Sequence, residues 1–255
     1  MSLNFQIQGQ ELISTSFSFM NPGEEIFDVE YLPFASSYVL VGDFSHSGNG
    51  NNWNNVIYLN SNLNIISSLT ALDDVSPNGP VYSVDSYRYG TTNAIYFGGN
   101  FTQMGATTRN YTGRVDIVDN GTTASSGSFS TWDADLDAGP VYKVLSPANG
   151  QLLIGGEFNI VYNSGAGQAR QKIAYFTTNS GVLSGVLTSF NNSFDPPYDI
   201  DYTGGKFYFS CDNSGGGLVK TTYTATEVAN LPPNGTFGHQ LYELDDSLLV
   251  LLYNH

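Results

Sequence analysis

Aligning five short apolar segments of this chain on an aromatic residue (Phe27, Tyr82, Tyr142, Tyr198 and Tyr242) exposes a column of chemistry. Directly after the aromatic stand Asp28, Ser83, Lys143, Asp199 and Glu243; two positions further on stand Glu30, Asp85, Leu145, Asp201 and Asp245. Seven of those ten positions are acidic, and Lys143 is the one base. Carboxylates repeated around a common centre have three uses. They can hold a hard cation, Ca²⁺ first, because calcium takes oxygen ligands in irregular geometry. A pair at the right separation can hydrolyse a glycosidic bond. They can also accept hydrogen bonds from backbone N–H groups of nearby turns or face water. Spacing along the chain sets no carboxylate separation, so all three stay open. The metal candidates are Asp28, Glu30, Asp85, Asp199, Asp201, Glu243 and Asp245.

Other chemistry is thinner. His46, His239 and His255 fall in no nucleophile–base pattern. Cys211 reads as a small buried residue rather than a nucleophile. Asp133, Asp135 and Asp137 alternate as in a calcium loop, but Gly139 comes one position late and no Glu closes the loop, so an ordinary linker accounts for them as well. Three longer segments, 45–55, 102–111 and 159–171, carry His46, Asn52, Trp53, Arg109, Tyr111, Tyr162 and Arg170. Exposed rings that stack, with amides and guanidinium groups that bond hydroxyls, suit a glycan or a polar protein surface. The plain alternative is that these residues only fill and solubilise the loops.

The elements that must position these groups are strands. Ile95-Tyr96-Phe97-Gly98-Gly99-Asn100-Phe101 returns as Leu152-Leu153-Ile154-Gly155-Gly156-Glu157-Phe158 and, more weakly, as Tyr38-Val39-Leu40-Val41-Gly42-Asp43-Phe44. The final phenylalanines are 57 residues apart in both steps, which marks a repeat protein. Each repeat reads as four strands. Strand A is the Val-Tyr-x-Val segment and strand B the Gly-Gly-x-Phe segment. Strand C is predicted at 56–59, 114–118, 172–176 and 218–223, and strand D at 65–69, 125–130, 182–187 and 227–231. Alternation should give the strand A aromatic and the aliphatic residue two positions later one shared face, turned to the next repeat. The glycine pair should let neighbouring repeats approach closely.

Four antiparallel strands at a period in the fifties predict an all-β, five-bladed β-propeller. Repeats begin near residues 24, 79, 139, 195 and 239 of a single domain spanning 1–255. The fifth repeat has only strands A and B before the chain stops, while residues 1–22 precede the first strand A. Two strand-like runs there, at 3–8 and 12–20, are expected to complete the fifth blade, closing the ring and removing its open strand edges.

Composition narrows the partners. The chain has 8 basic against 23 acidic residues, a net charge of −15. That balance cannot neutralise a phosphate backbone, so nucleic acid is excluded as a partner. No apolar run approaches the ~20 residues of a membrane span, and the N-terminus shows no secretory signal pattern. One cysteine excludes an internal disulfide.

Gly79-Pro80-Val81-Tyr82 followed by Ile95-Tyr96-Phe97-Gly98-Gly99-Asn100-Phe101-Thr102 resembles the repeat of delta-60-type and related kelch-like β-propellers. The stretch Trp132-Asp133-Ala134-Asp135-Leu136-Asp137-Ala138-Gly139 resembles that family's linker before strand A. The resemblance covers most of residues 24–213 and implies the propeller fold. Phe209-Ser210-Cys211-Asp212-Asn213 departs from it where Gly-Gly-x-Phe is expected. Three functions are then in view. The first is a non-enzymatic binding or assembly module that recognises a glycan or protein partner through its loop face. The second is a carbohydrate-active hydrolase using the central carboxylates. The third is a structural subunit of a virion or cell-surface assembly.

Overall fold

The computed structural model describes residues 6–7, 10–11, 21–33, 36–48, 51–66, 76–89, 92–119, 124–146, 151–162, 166–170, 172–179, 182–186, 196–203, 206–211, 218–222, 227–231, 240–244 and 247–251. Among them the protein is all-β and contains no helix, hence none long and apolar enough to cross a membrane. Strands β1 (Gln6–Ile7) and β2 (Gln10–Glu11) pair with each other. The first repeat forms a three-stranded antiparallel sheet of β3 (Glu25–Leu32), β4 (Ser37–Gly48) and β5 (Asn51–Asn60). In the second repeat β6 (Val81–Tyr89) and β7 (Thr92–Gly99) are followed by a short hairpin, β8 (Gln103–Met104) with β9 (Thr107–Thr108). Strands β10 (Thr112–Asp119) and β11 (Ala124–Phe129) complete that sheet, in the spatial order β6-β7-β10-β11. The third repeat has β12 (Val141–Leu145) and β13 (Gln151–Gly156), a hairpin of β14 (Ile160–Val161) and β15 (Gln168–Ala169), then β16 (Ile173–Asn179) and β17 (Val182–Val186). The fourth is β18 (Pro197–Thr203), β19 (Lys206–Cys211), β20 (Leu218–Thr222) and β21 (Glu227–Leu231), and the last is the pair β22 (Gln240–Leu244) and β23 (Ser247–Leu251).

The A-to-D order predicted from sequence is therefore seen in the second, third and fourth repeats. In the first, strand D begins with Ile65 bridging Leu59 and the Ile66 N–H donating to Tyr58 O. Residues 67–69 of that predicted strand lie outside the described residues. So does most of the N-terminal segment assigned to the fifth blade, of which only the β1–β2 pair is described.

Alternation along the second strand of each sheet divides the core. In β7, Ile95 and Phe97 pack with Val39, Val41 and Val56 of the first sheet, while Ala94 and Tyr96 pack with Leu152, Ile154 and Phe176 of the third. In β13, Leu153 turns the other way, towards Phe207 and Phe209 of the fourth sheet. A strand buried on both faces reads as a continuous apolar run, which is why Ile95-Tyr96-Phe97 and Leu152-Leu153-Ile154 stand out. The sheets thus stack face to face in chain order. The first strands β3, β6, β12, β18 and β22 neighbour one another in that same order.

The strand A reading needs correction. Four of the five first strands carry a β-bulge at their aromatic: the register shifts between Ile26 and Asp28, Val81 and Ser83, Val141 and Lys143, and Pro197 and Asp199, whereas β22 pairs β23 in unbroken register through Tyr242. An extra residue reverses the alternation. The buried partners are therefore Val81 and Val84, or Val141 and Val144, three apart, and the aromatics Tyr82 and Tyr142 are left half-buried on the other side.

The glycine pair does allow close approach, in two ways. A Cβ on Gly98 would lie 2.7 Å from Val141 Cγ1 and 2.9 Å from Val144 Cγ1, both on the next sheet. A Cβ on Gly99 would instead strike the Pro80 carbonyl oxygen and lie 2.8 Å from Val81 Cα, backbone of its own sheet. Side chains can repack and a ladder backbone cannot do so locally. Gly98→Ala should cost about 1–3 kcal/mol as overpacking, and Gly99→Ala more. Urea unfolding of the two variants checks the order; a milder Gly99→Ala would show that the first strand is free to shift.

Candidate functional site

The repeated polar column lies on the first strands, whose outer edges pair with no further strand of their own sheets. An edge strand leaves N–H groups that need acceptors. Side chains of the preceding sheet supply them. Asp28 Oδ2 accepts from the Val84 N–H at 3.1 Å and from Ser83 Oγ at 3.0 Å. Ser83 Oγ accepts from the Val144 N–H at 3.3 Å, and Asp85 Oδ2 accepts from the Ser146 N–H. The other Asp28 oxygen takes the N–H of its own next residue, Val29, at 2.9 Å; Asp85 does the same with Ser86, Asp199 with Ile200 and Asp201 with Tyr202. Backbone N–H groups are the partners of these carboxylates, as one sequence reading held. The groups belong to first strands, however, and not to the turns expected there.

Lys143 replaces the acid of this column in the third sheet. Its Nζ lies 3.2 Å from Asp199 Oδ1 on the fourth sheet and 3.8 Å from Asp28 Oδ2 on the first. One ammonium so joins sheets on both sides of its own. Burial works against its charge, but Asp199 and Asp28 outweigh that and hold the ammonium above its ordinary range. Glu30, whose Oε1 accepts from Ser86 Oγ, has its pKa pushed up to about 8 by burial and by the Asp85 charge. Burial likewise raises Asp85 to about 6, against the N–H donors of Ser146 and Ser86 and the charge of Lys143. Of the seven metal candidates, Asp28, Glu30, Asp85, Asp199 and Asp201 are described, and Glu243 and Asp245 have side chains outside the described residues. Among the described residues no three such groups converge to hold a metal ion. The cation that sits among the acids is the chain's own.

Beside this column the bulged aromatics form an arc. Ring centroids are 5.4 Å apart for Phe27 and Tyr82, 5.9 Å for Tyr82 and Tyr142, and 5.0 Å for Tyr142 and Tyr198. Phe27, at one end, is 38% exposed. In the second and third repeats the residue between the glycine pair and the phenylalanine borders the arc. Asn100 hydrogen-bonds Tyr82, and Glu157 accepts from the Tyr142 hydroxyl at 3.4 Å. Burial, and then the Asp43 charge, raise the Tyr82 pKa.

In the described parts of the long segments expected to carry recognition, most of the candidate residues are structural. Trp53 is 3% exposed, packed with Ile26, Leu40, Phe44, Ile57 and Leu59, and stacked on His46 at 5.6 Å. It lies within β5 because β4 and β5 continue pairing as one long hairpin through Gly48 and Asn51. Trp53 is therefore corrected from a ligand-stacking residue to a core residue. Arg109 donates to Ser130 O at 2.9 Å, lies 3.7 Å from Asp133 Oδ2 and covers the Phe129 ring. Arg170 is 4% exposed and donates to Gln168 Oε1 and Ala169 O. Tyr111 packs against Gly139 with φ 66°, in the same left-handed position as Asn55 and Lys172 of the neighbouring repeats. Asn52 is exposed and accepts from Ser47 Oγ at 2.6 Å, and Tyr162 is exposed.

The linker acids are also engaged. Asp137 Oδ1 accepts from the Asn159 and Ile160 N–H groups at 2.9 and 2.8 Å, and Asn78 does the same for Thr102 and Gln103 one repeat earlier. Asp133 Oδ1 accepts from the Asp135 N–H at 2.9 Å. Asp133 and Asp137 thus serve as linker clasps.

What sequence reasoning missed is an open cleft of about 500 Å³ between the first linker, the β4–β5 hairpin and the second linker. Asn21, Glu24, Asp43, Asn54 and Asn78 border it, with Pro77. Slight burial opposes the charge of Glu24, but donors from Asn21 and Ser45 outweigh it and lower its pKa to about 2. Among the described residues no Lys or Arg lines this cleft. A usable signal was present: Asp43 occupies the variable place of the Gly-Gly-x-Phe motif, where Asn100 and Glu157 also stand. No family model matches the chain, and no curated protein is detectably similar to it.

Proposed function

We propose that the protein is a non-enzymatic binding module, a five-bladed β-propeller of the delta-60-type, kelch-like kind, which takes a polar partner on the side formed by its linkers and second-to-third-strand hairpins. The observation that carries this reading is the acid- and amide-lined cleft bounded by Asn21, Glu24, Asp43, Asn54 and Asn78. Ligand sites are concave and place a few polar groups around a fixed opening. The ring is supported by Lys143. In a flat stack, the first and third sheets would be separated by the second, yet Nζ of Lys143 reaches Asp28 at 3.8 Å. The first strands must curve around a shared centre. A further support is the far face of the first sheet, where Leu40, Ile57 and Leu59 are buried away from the second sheet. A fifth blade completed by N-terminal strands would cover that face. Hydrolysis is disfavoured because Asp28, Asp85 and Asp199 hold backbone N–H groups and Lys143 instead of facing an open site.

The test is an array of glycans and short peptides probed with the parent protein and with Asn54→Arg, which plugs the cleft at a half-buried position. Ligands of the parent should be lost in the variant while its melting temperature stays within a few degrees. Ligands retained in full by the plugged variant would overturn the assignment of this face.

A further inference from the structure

At one edge of this cleft the chain brings like charges together. Glu25 on β3 and Asp43 on β4 are direct cross-strand partners, and both are exposed. Such partners hold their side chains on one face, within reach of each other, and like charges placed so are destabilising. Neither residue forms an ion pair among the described residues. Two residues along from Glu25 is Phe27, 38% exposed and the last ring of the aromatic arc among the described residues, with its ring 5.4 Å from that of Tyr82. Asp43 is near enough to act on the Tyr82 hydroxyl. One small region thus combines two exposed carboxylates, without an ion pair among the described residues, with the exposed ring of Phe27 and the half-buried ring of Tyr82.

We propose that this corner, formed by Glu25, Asp43, Phe27 and Tyr82, seats an arginine side chain presented by a partner protein. The ligand class follows from chemistry. An aromatic face attracts a cation through its quadrupole. Carboxylates only accept hydrogen bonds, and a guanidinium only donates them, five in a planar fork. That plane stacks on a ring while its edge serves two carboxylates, which a compact ammonium does less well. A sugar hydroxyl would bring no charge to relieve the acid pair. The net charge of −15 also draws basic partners towards the molecule. The inference rests on reading this side as the recognition surface, and it adds the partner's anchoring group.

The probes are the capped tripeptide Gly-Arg-Gly and its counterpart with neutral, near-isosteric citrulline, titrated by calorimetry or by shifts of aromatic NMR signals at fixed ionic strength. The arginine peptide should bind with a millimolar dissociation constant and the citrulline peptide at least tenfold more weakly. A lysine peptide should fall between them. Phe27→Leu removes the ring yet keeps an apolar side chain at an exposed position, and should weaken the arginine peptide about fivefold or more. Asp43→Asn should do the same, and Tyr82→Phe, which keeps the ring, should not. Equal binding of the arginine and citrulline peptides would overturn the proposal, as would binding unchanged in both Phe27→Leu and Asp43→Asn. If array ligands are still lost in Asn54→Arg while the arginine peptide fails to bind, the recognition surface stands and the arginine seat falls.

Discussion

Trp53→Ala should destabilise the protein by about 3–5 kcal/mol, the range for removing a large ring from a core that can only partly collapse. Trp53 is 3% exposed and wedged among Ile26, Phe44 and Ile57, with His46 stacked over it. Its loss leaves a hole between the β4–β5 hairpin and the body of the first sheet. The hairpin also carries Asn55, whose Oδ1 accepts from the Phe44 N–H at 3.0 Å and whose Nδ2 donates to Gly79 O at 2.8 Å. A collapse at Trp53 would therefore disturb the clasp to the second linker and the border of the cleft. The exposed neighbour Asn52→Ala should change stability by no more than about 0.5 kcal/mol. Urea denaturation of both variants makes the comparison. A Trp53→Ala protein as stable as Asn52→Ala would return the tryptophan to the surface.

Lys143→Met should cost about 3 kcal/mol near neutral pH, the lower end of the range for removing one partner of a buried ion pair, because the lysine side chain keeps 24% exposure. The methionine preserves the stem and removes the charge that Asp28 and Asp199 share. The loss should depend on pH. Glu30 and Asp85 are raised to about 8 and about 6 from ordinary carboxyl values. An acid whose folded pKa is raised binds its proton more tightly in the folded state. Its stabilising contribution is full below the unfolded pKa and is lost as pH rises through the folded one. The parent protein should therefore melt highest near pH 4–5 and lose stability towards pH 8, with Glu30→Gln flattening the upper part of the decline. Lys143→Met removes a charge that favours ionised carboxylates, so its deficit should be larger at pH 8 than at pH 5. Thermal melts of the three proteins at fixed ionic strength test this; a deficit that does not change with pH would show that the ammonium does not control the carboxylates around it.

The repeat was legible because its strands are buried on both faces. Leu152-Leu153-Ile154 must be apolar throughout, since alternate side chains serve two different cores. Gly98 and Gly99 were legible for a similar reason: a Cβ at either position meets the next sheet or the first strand's backbone. The acidic column was visible too, and so was Lys143 as its exception. Its use was not, because the N–H groups that Asp28 and Asp85 satisfy lie 56 and 61 residues away.

Trp53 was misjudged for a local reason. A segment rich in Asn and Gly looks like a loop, whereas β4 and β5 extend their ladder through it and turn the indole inward. The strand A faces were misjudged because a bulge reverses alternation without leaving a fixed signature in the sequence. Sequence alone determined the strand order, the period, the apolar interiors and the acid column, since each depends on local pattern or on the demands of burial. Only the tertiary structure decided which carboxylates are consumed by edge N–H groups, that Lys143 is their counter-ion, and that Glu25, Asp43, Phe27 and Tyr82 share a corner. Those outcomes depend on distances between strands from different sheets, and chain spacing does not encode such distances.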